Sequence, residues 1–173
     1  QLLVEAERRA YADRSHFMGD PDYMNLPVYE LMDKEYVVGR MKNFSWDEAT
    51  SSSDVKHGNI ILDESDETTH YSIIDKHGNS VSVTTTLNNS YGSKVFVEEG
   101  GFFLNNEMDD FSSKPGHPNF YGLIGSEANS IQPGKRMLSS MTPSIILKNN
   151  KPSLIVGTPG GSTIITSVLQ TIL

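Results

Sequence analysis

At 173 residues the chain is long enough for one domain with a real core, and without cysteine it has no disulfide framework, thiolate metal site or thiol nucleophile. Its net charge is −8 and its basic residues cluster no further than Arg8-Arg9 and Lys135-Arg136, which argues against a nucleic-acid surface and leaves small polar ligands as natural partners. No apolar run approaches the roughly 18 residues of a membrane-spanning helix, and His16, His57, His70, His77 and His117 lack metal-ligand spacing, so they are read as non-catalytic and no metal is expected.

Residues 2–12 place Leu3, Ala6 and Ala10 on one side and Glu5, Arg8 and Arg9 mostly on the other, which predicts an amphipathic helix before Gly19-Asp20-Pro21. A second helix is expected from Val28 to Met41. From Ser45 to about Glu67 the chain turns polar and acidic, with Ser51-Ser52-Ser53 inside it, and reads as a mobile linker. The triplets Asn43-Phe44-Ser45 and Asn88-Asn89-Ser90 match glycosylation sequons, a pattern common by chance, and carry no weight.

After Thr68 the pattern changes to strands. His70 to Ile74 and Val81 to Thr84 alternate at period two around Asp75-Lys76-His77-Gly78-Asn79, which predicts a hairpin. Further strands are expected at Phe102–Leu104, Ser144–Lys148 and Ser153–Val156, the last two joined by an Asn149-Asn150-Lys151-Pro152 turn. Pro115 to Gly125 is the main Gly, Pro and Asn-rich loop. Ile164, Ile165, Val168, Leu169 and Ile172 share one face of a final helix that ends without a stop signal, so the helix is expected to run on in a longer chain. Helix, strands, then helix suggest a layered α/β arrangement of antiparallel sheets between helices.

The segment Asp66-Glu67-Thr68-Thr69-His70-Tyr71-Ser72 reads as a place where the chain is cut. A threonine exposed as a new N-terminus carries nucleophile and base on adjacent carbons, and its α-amine has an ordinary pKa of about 7.7 to 8.0, close to where a general base works best. Taken alone, an acid followed by Thr-Thr reads more readily as a plain loop-to-strand junction. Thr86 closes the second hairpin strand and can return beside Thr68 to orient its hydroxyl, or serve simply as a β-branched strand residue. Asn88 follows at the strand end, facing a pocket or forming a turn. Glu107 and Asp110 are either a solvated turn or paired carboxylates able to grip an ammonium group. Ser139 and Ser140 offer hydroxyls to a carboxylate, or form an ordinary loop. Gly160-Gly161 before the last helix suits an oxyanion hole, whereas a phosphate loop would want the lysine that this segment lacks.

Thr68-Thr69, Thr84-Thr85-Thr86-Leu87-Asn88, Leu104-Asn105-Asn106-Glu107-Met108-Asp109-Asp110-Phe111, Lys135-Arg136-Met137-Leu138-Ser139-Ser140-Met141-Thr142-Pro143 and Pro159-Gly160-Gly161-Ser162, in this order, resemble the γ-glutamyltransferase family of self-cleaving N-terminal-nucleophile enzymes. The resemblance is nearly continuous from Thr68 to Leu173. It is looser over residues 1 to 67, where Tyr11 to Ser15 and Gly19 to Tyr23 look like the end of the family's large subunit.

The resemblance implies a four-layer αββα sandwich, present only in part, with residues 1–67 closing the large subunit and 68–173 opening the small one. It implies self-cleavage between Glu67 and Thr68, then transfer of γ-glutamyl groups from glutathione and related amides through a Thr68 ester to water or to an amino acid or peptide acceptor. No cofactor is needed. Thr86 would orient the nucleophile, Gly160 and Gly161 would hold the oxyanion, and Asn88, Glu107, Asp110, Ser139 and Ser140 would bind substrate under a lid carrying Tyr121. Family members take an arginine from earlier in the large subunit for the substrate α-carboxylate, so the isolated 173 residues are expected to have little activity. Proline is usual where Met137 stands and serine where Thr142 stands, changes that bear on loop stiffness more than chemistry. The resemblance also implies a periplasmic or extracellular setting and a need for the remainder of both subunits. A sister amidase acting on cephalosporin side chains or poly-γ-glutamate, and a processed but inert binding protein, are the alternatives.

Overall fold

The computed structural model describes residues 1–56, 68–118 and 124–173. Its contacts divide into two compact units, one comprising Gln1–Leu62 with Met108–Leu138 and the other Asp63–Glu107 with Ser139–Leu173. The first unit therefore joins chain from both sides of Thr68.

In the first unit, helix α1 spans Leu2–Phe17, longer than the periodicity suggested, and the polarity of its faces is reversed. Glu5, Arg9 and Ala12 are buried, whereas Leu2, Leu3 and Val4 are exposed. The cause is a buried ion pair. Arg9 Nη1 meets Glu5 Oε2 at 2.5 Å and the Glu5 carbonyl at 2.8 Å. Its Nε donates to the Arg40 carbonyl (2.7 Å), and its Nη2 to Asn43 Oδ1 (2.6 Å) and Thr50 Oγ1 (3.0 Å). Every N–H of the guanidinium thus has an acceptor, which is the condition for burying an arginine. Arg8 extends the network from Glu5 Oε1 to the Thr50 carbonyl and Ser52 Oγ. The acidic segment read as a linker from Ser45 is tied to α1 at Thr50 and Ser52 by these bonds, and Val55 is buried; residues 57–67 lie outside the described residues.

The helix expected over Val28–Met41 is two helices, α2 (Val28–Leu31) and α3 (Lys34–Arg40). Asp33 takes an extended conformation between them and its carboxylate accepts from Glu35 N and Tyr36 N, both at 2.9 Å. An aspartate that caps a new helix ends the old one, so a strong N-cap beats continuous periodicity here. The rest of this unit holds all but the first residue of one 3-10 turn, Glu107–Asp110, and the whole of a second, Glu127–Asn129. Ser126 caps the second by accepting from Ala128 N (3.2 Å) while its hydroxyl donates to the His16 carbonyl (2.9 Å), fixing that turn to the end of α1. Phe111, directly after the first turn, is buried, and Ser112 N donates to the Asn129 carbonyl at 2.8 Å.

In the second unit, β1 (Thr68–Ile74) and β2 (Ser80–Thr86) form the predicted hairpin, each strand longer than read from the sequence. The Asp75 carboxylate closes the turn, accepting from His77 N (2.8 Å), Asn79 N (2.9 Å) and Asn79 Nδ2 (2.7 Å). Those bonds to its charged form hold the Asp75 pKa below the ordinary value. A short pair, β3 (Phe96–Val97) with β4 (Phe102–Phe103), follows; β3 was not foreseen.

Strands β5 (Ser144–Lys148) and β6 (Lys151–Val156) make a second long hairpin, with an irregularity between Ile146 and Leu147. Its turn is shorter than expected: Asn149 and Asn150 alone occupy it, at φ +53° and +59°, and Lys151 and Pro152 already belong to β6. Paired left-handed residues define a turn whose twist matches the strands, and asparagine tolerates that region. Helix α4 (Ile164–Ile172) buries Ile164 and Val168 and leaves Leu169 and Ile172 partly exposed.

The mixed helices and antiparallel hairpins make the fold α/β. Period-two alternation assigns Thr68, His70 and Ser72 of β1 to one face with Ser82, Thr84 and Thr86 of β2. Ser72 Oγ donates to the Ile155 carbonyl (3.3 Å) and Ser82 Oγ to the Val156 carbonyl (3.4 Å), so this small, polar face lies against β6. The other face carries Tyr71, Ile73 and Val81, all exposed.

Candidate active site

Thr68 opens β1 directly opposite Thr86, the last residue of β2. In an antiparallel pair, side chains of directly opposed residues stand about 4.5 to 5.5 Å apart at Cβ, which puts both hydroxyls on one face at one end of the hairpin. The expectation that Thr86 returns beside Thr68 has this register behind it. Thr86 Oγ1 accepts from Asn88 N at 2.9 Å, so its hydroxyl also fixes the corner that follows.

That corner is tightly built. Asn88 is buried and sits at φ +75°, a left-handed position that few residues other than glycine and asparagine accept. Its Nδ2 donates to the Asn106 carbonyl (3.2 Å), Asn106 Oδ1 accepts from Asn89 N (3.1 Å), and Asn106 N donates to the Leu87 carbonyl (3.1 Å). Residues 87–89 are therefore bolted to residue 106. Glu107 follows at once, its N–H taken by Asn105 Oδ1 at 3.0 Å where the 3-10 turn begins. With three residues per turn, that geometry stacks positions 107 and 110 on the same side of the turn.

The glycine segment is shaped by backbone that other residues resist. Gly160 is buried at φ +135°, ψ 26°, and Gly161 follows at φ +52°. The Gly160 carbonyl accepts from Thr163 N (3.0 Å) and Thr163 Oγ1 (2.7 Å). The pair does not adjoin α4 directly: a 3-10 turn, Gly161–Thr163, comes between. Amides at the start of such a turn have no partner within it and are the donors an oxyanion needs.

His70 ties this segment to β1 and β2. Its Nδ1 pairs with Thr84 Oγ1 (2.8 Å) and its Nε2 with Ser72 Oγ (3.0 Å). A Cβ added at Gly157 would lie 2.2 Å from Nδ1, so the imidazole rests directly on the Gly157 backbone, three residues before Gly160. Ser139 Oγ accepts from Met141 N at 3.1 Å, forming a small turn at the start of the run that leads into β5.

The first unit holds Asp110 at the end of its 3-10 turn, with its carbonyl accepting from Asn129 Nδ2 at 2.7 Å. Arg14 of α1 belongs to the same unit; burial pushes its pKa down, while Tyr11 and Asp110 act in the opposite direction. The run 133–138 is clasped from the Gly19–Tyr23 segment. Asp20, nearly inaccessible, accepts from Arg136 N (2.8 Å), Nε (3.1 Å) and Nη2 (2.5 Å), and Tyr23 OH donates to the Pro133 carbonyl (2.7 Å). The guanidinium and backbone donors hold the Asp20 pKa far below the usual carboxylate range. Glu67 and Tyr121 lie outside the described residues.

Asn129 and Asp20 are residues that sequence reasoning passed over, and His70, read there as non-catalytic, has a structural part in joining β1 to β2 and Gly157. Glu127-Ala128-Asn129 carries no periodic signal, and Asp20 reads as a turn residue between glycine and proline. No cluster of metal-ligating side chains and no helix long and apolar enough to cross a membrane occurs among the described residues.

Comparison with known proteins places this arrangement. A family model described as gamma-glutamyltranspeptidase matches residues 1–173. The chain is 49% identical over 170 residues to the glutathione hydrolase proenzyme of Escherichia coli K12, covering 98% of this chain and 29% of that protein. It is 50% identical over 169 residues to the glutathione hydrolase proenzyme of Pseudomonas aeruginosa, covering 98% of this chain and 30% of that one. Among solved structures, a threonine-to-alanine mutant of the Helicobacter pylori gamma-glutamyltranspeptidase aligns with TM-score 0.58 and 64% identity over 60% of this chain and 56% of its own. The chain thus spans about three tenths of the length of these curated relatives.

Proposed function

Because the chain belongs to the gamma-glutamyltranspeptidase family, we propose that the protein carrying it is a self-cleaving γ-glutamyl hydrolase and transferase with Thr68 as its nucleophile. The observation that carries this reading is the pairing of Thr68 with Thr86 at the hairpin end, in a unit that also holds the Gly160-Gly161 turn.

In the precursor, Thr68 Oγ attacks the Glu67 carbonyl carbon, the peptide bond is exchanged for an ester, and the Thr68 nitrogen becomes an amine. Water then hydrolyses the ester, leaving a Glu67 carboxylate and a threonine N-terminus. In the mature protein the α-amine accepts the Thr68 hydroxyl proton as Oγ attacks the γ-carbonyl of the donor. The resulting alkoxide takes hydrogen bonds from the Gly160-Gly161 segment; removing one such donor elsewhere costs about 2.7 to 4 kcal/mol of transition-state stabilisation. Collapse expels the amine, which leaves with the proton held by the α-ammonium. The γ-glutamyl ester then passes to water or to an acceptor amine by the same steps in reverse. Thr86 holds Oγ in line for both reactions.

In this reading Asp110 and Glu107 receive the donor's α-ammonium, Ser139 and Ser140 its α-carboxylate, Asn88 lines the reacting centre, and Tyr121 belongs to a covering loop. Charge-assisted hydrogen bonds at both ends of a free amino-acid head favour γ-glutamyl compounds such as glutathione over plain amides. The relatives named glutathione hydrolase proenzyme support the substrate class. Action outside the cytoplasm, in the periplasm or medium, belongs to the same proposal.

The test is a donor profile of the full-length polypeptide. It should release p-nitroaniline from γ-glutamyl-p-nitroanilide and glutamate from glutathione, with faster anilide release when a dipeptide acceptor is added. Turnover of cephalosporin side-chain amides in preference to γ-glutamyl donors would replace this reading with the sister amidase.

A further inference from the structure

Asn129 uses both ends of one buried amide. Its Nδ2 donates to the Asp110 carbonyl at 2.7 Å, and its Oδ1 accepts from Leu138 N at 3.0 Å. Its backbone is fixed as well, the carbonyl by Ser112 N (2.8 Å) and the N–H by the Ser126 carbonyl (3.2 Å), inside a turn tied to the end of α1. Leu138 is the residue before Ser139, and Asp110 closes the turn that Glu107 begins. One side chain therefore spans the backbone of the segment assigned to the donor's ammonium and the backbone that leads into the pair assigned to its carboxylate.

Such a strut has chemical consequences. An amide of fixed length sets the distance between two backbone points more stiffly than packing alone, because a buried amide that leaves its partners exposes them to an unmade hydrogen bond. The Asp20 clasp on Arg136 stiffens the same run from its other side, two residues ahead of Leu138. Asn129 itself touches neither reacting atoms nor, in this assignment, substrate.

We propose that Asn129 is a positioning residue for donor specificity: it fixes the backbone at Asp110 against the backbone at Leu138 within the first unit, and so tunes recognition of a ligand carrying both an α-ammonium and an α-carboxylate. The inference rests on the γ-glutamyl reading given above. Self-cleavage uses the Glu67 carbonyl within the chain and involves no such head group, so the two activities separate the role of Asn129 from a general role in folding.

The experiment compares Asn129→Ala and Asn129→Asp with wild type in the full-length polypeptide. The aspartate variant is isosteric and keeps an acceptor for Leu138 N but puts a carboxylate oxygen where the donor to Asp110 stood, whereas the alanine variant removes the amide without adding charge, and the self-cleavage rate of both reports whether the fold is intact. Three anilides are used: γ-glutamyl-p-nitroanilide, glutaryl-p-nitroanilide, which lacks the α-ammonium, and 4-aminobutyryl-p-nitroanilide, which lacks the α-carboxylate. For both variants kcat/KM on the γ-glutamyl donor should fall at least about tenfold, chiefly through KM, while the truncated donors change less than about threefold and self-cleavage proceeds at close to the wild-type rate. Preference for the complete head group then collapses. An unchanged preference in both variants overturns the inference alone, as does a parallel loss of self-cleavage and of turnover on all three anilides. A wild-type enzyme that shows no preference for the γ-glutamyl donor removes the functional reading and this inference together.

Discussion

Thr86 does two things with one hydroxyl: it stands opposite Thr68 and accepts the Asn88 amide that closes the next corner. Thr86→Val keeps the β-branched shape and removes the oxygen, so strand propensity is preserved while the Asn88 amide loses its partner and Thr68 its orienting group. Such a change should lower kcat on a γ-glutamyl donor by about 10- to 100-fold, the cost of one to two lost hydrogen bonds in a transition state, and slow self-cleavage alongside it. Rapid-mixing kinetics on mature enzyme and gel densitometry on precursor read the two effects. Wild-type rates in both would remove Thr86 from the mechanism. At this scale the local landmarks were legible, a threonine at the start of a strand and paired glycines ahead of the last helical segment. The sequence was silent on Asn129, whose importance lies in two backbone groups that meet only after folding.

Among the elements, α1 teaches most about what periodicity conceals. Glu5 and Arg9 read as a solvated face, yet both are buried because each satisfies the other and Arg9 finds acceptors on residues 40, 43 and 50. A pattern of residue types cannot reveal partners that distant in the chain. Arg9, then Thr50 and Arg8, hold the Glu5 carboxyl down at about 2, against 4.5 ordinarily, and outweigh the desolvation that would raise it. A depressed carboxylate pKa favours the folded state above the unfolded value and loses that contribution as pH falls through the folded one. Wild-type stability from Glu5 should therefore be complete above about pH 4.5 and disappear toward pH 2. Glu5→Gln should be less stable than wild type at pH 7 and converge with it near pH 2, as thermal melts across that range will show. A constant difference at every pH would deny the ion pair its role. The β1–β2 hairpin was legible for the opposite reason: its alternation and its Asp75 to Asn79 turn are local, so neighbours in sequence are partners in space.

For the whole molecule, the informative surface is the outer face of β1–β2, where Tyr71, Ile73 and Val81 are 47%, 56% and 47% exposed. Apolar strand faces of this kind belong under another layer. The relatives are more than three times as long as the aligned segment. The fold class was legible in the order of elements, but the two compact units were not. Asp20 with Arg136, and Asn129 with Asp110, join chain distant in sequence, and the first of these pairs spans the proposed cut. The central claim is that Thr68 becomes an N-terminus by its own chemistry. Intact mass and N-terminal sequencing of the full-length polypeptide, beside a Thr68→Ala variant, test it most directly. The account predicts two fragments for wild type, the smaller beginning Thr68-Thr69-His70, and one uncut chain for the variant. A wild-type chain that stays whole, or a variant cut at the same bond, would contradict it.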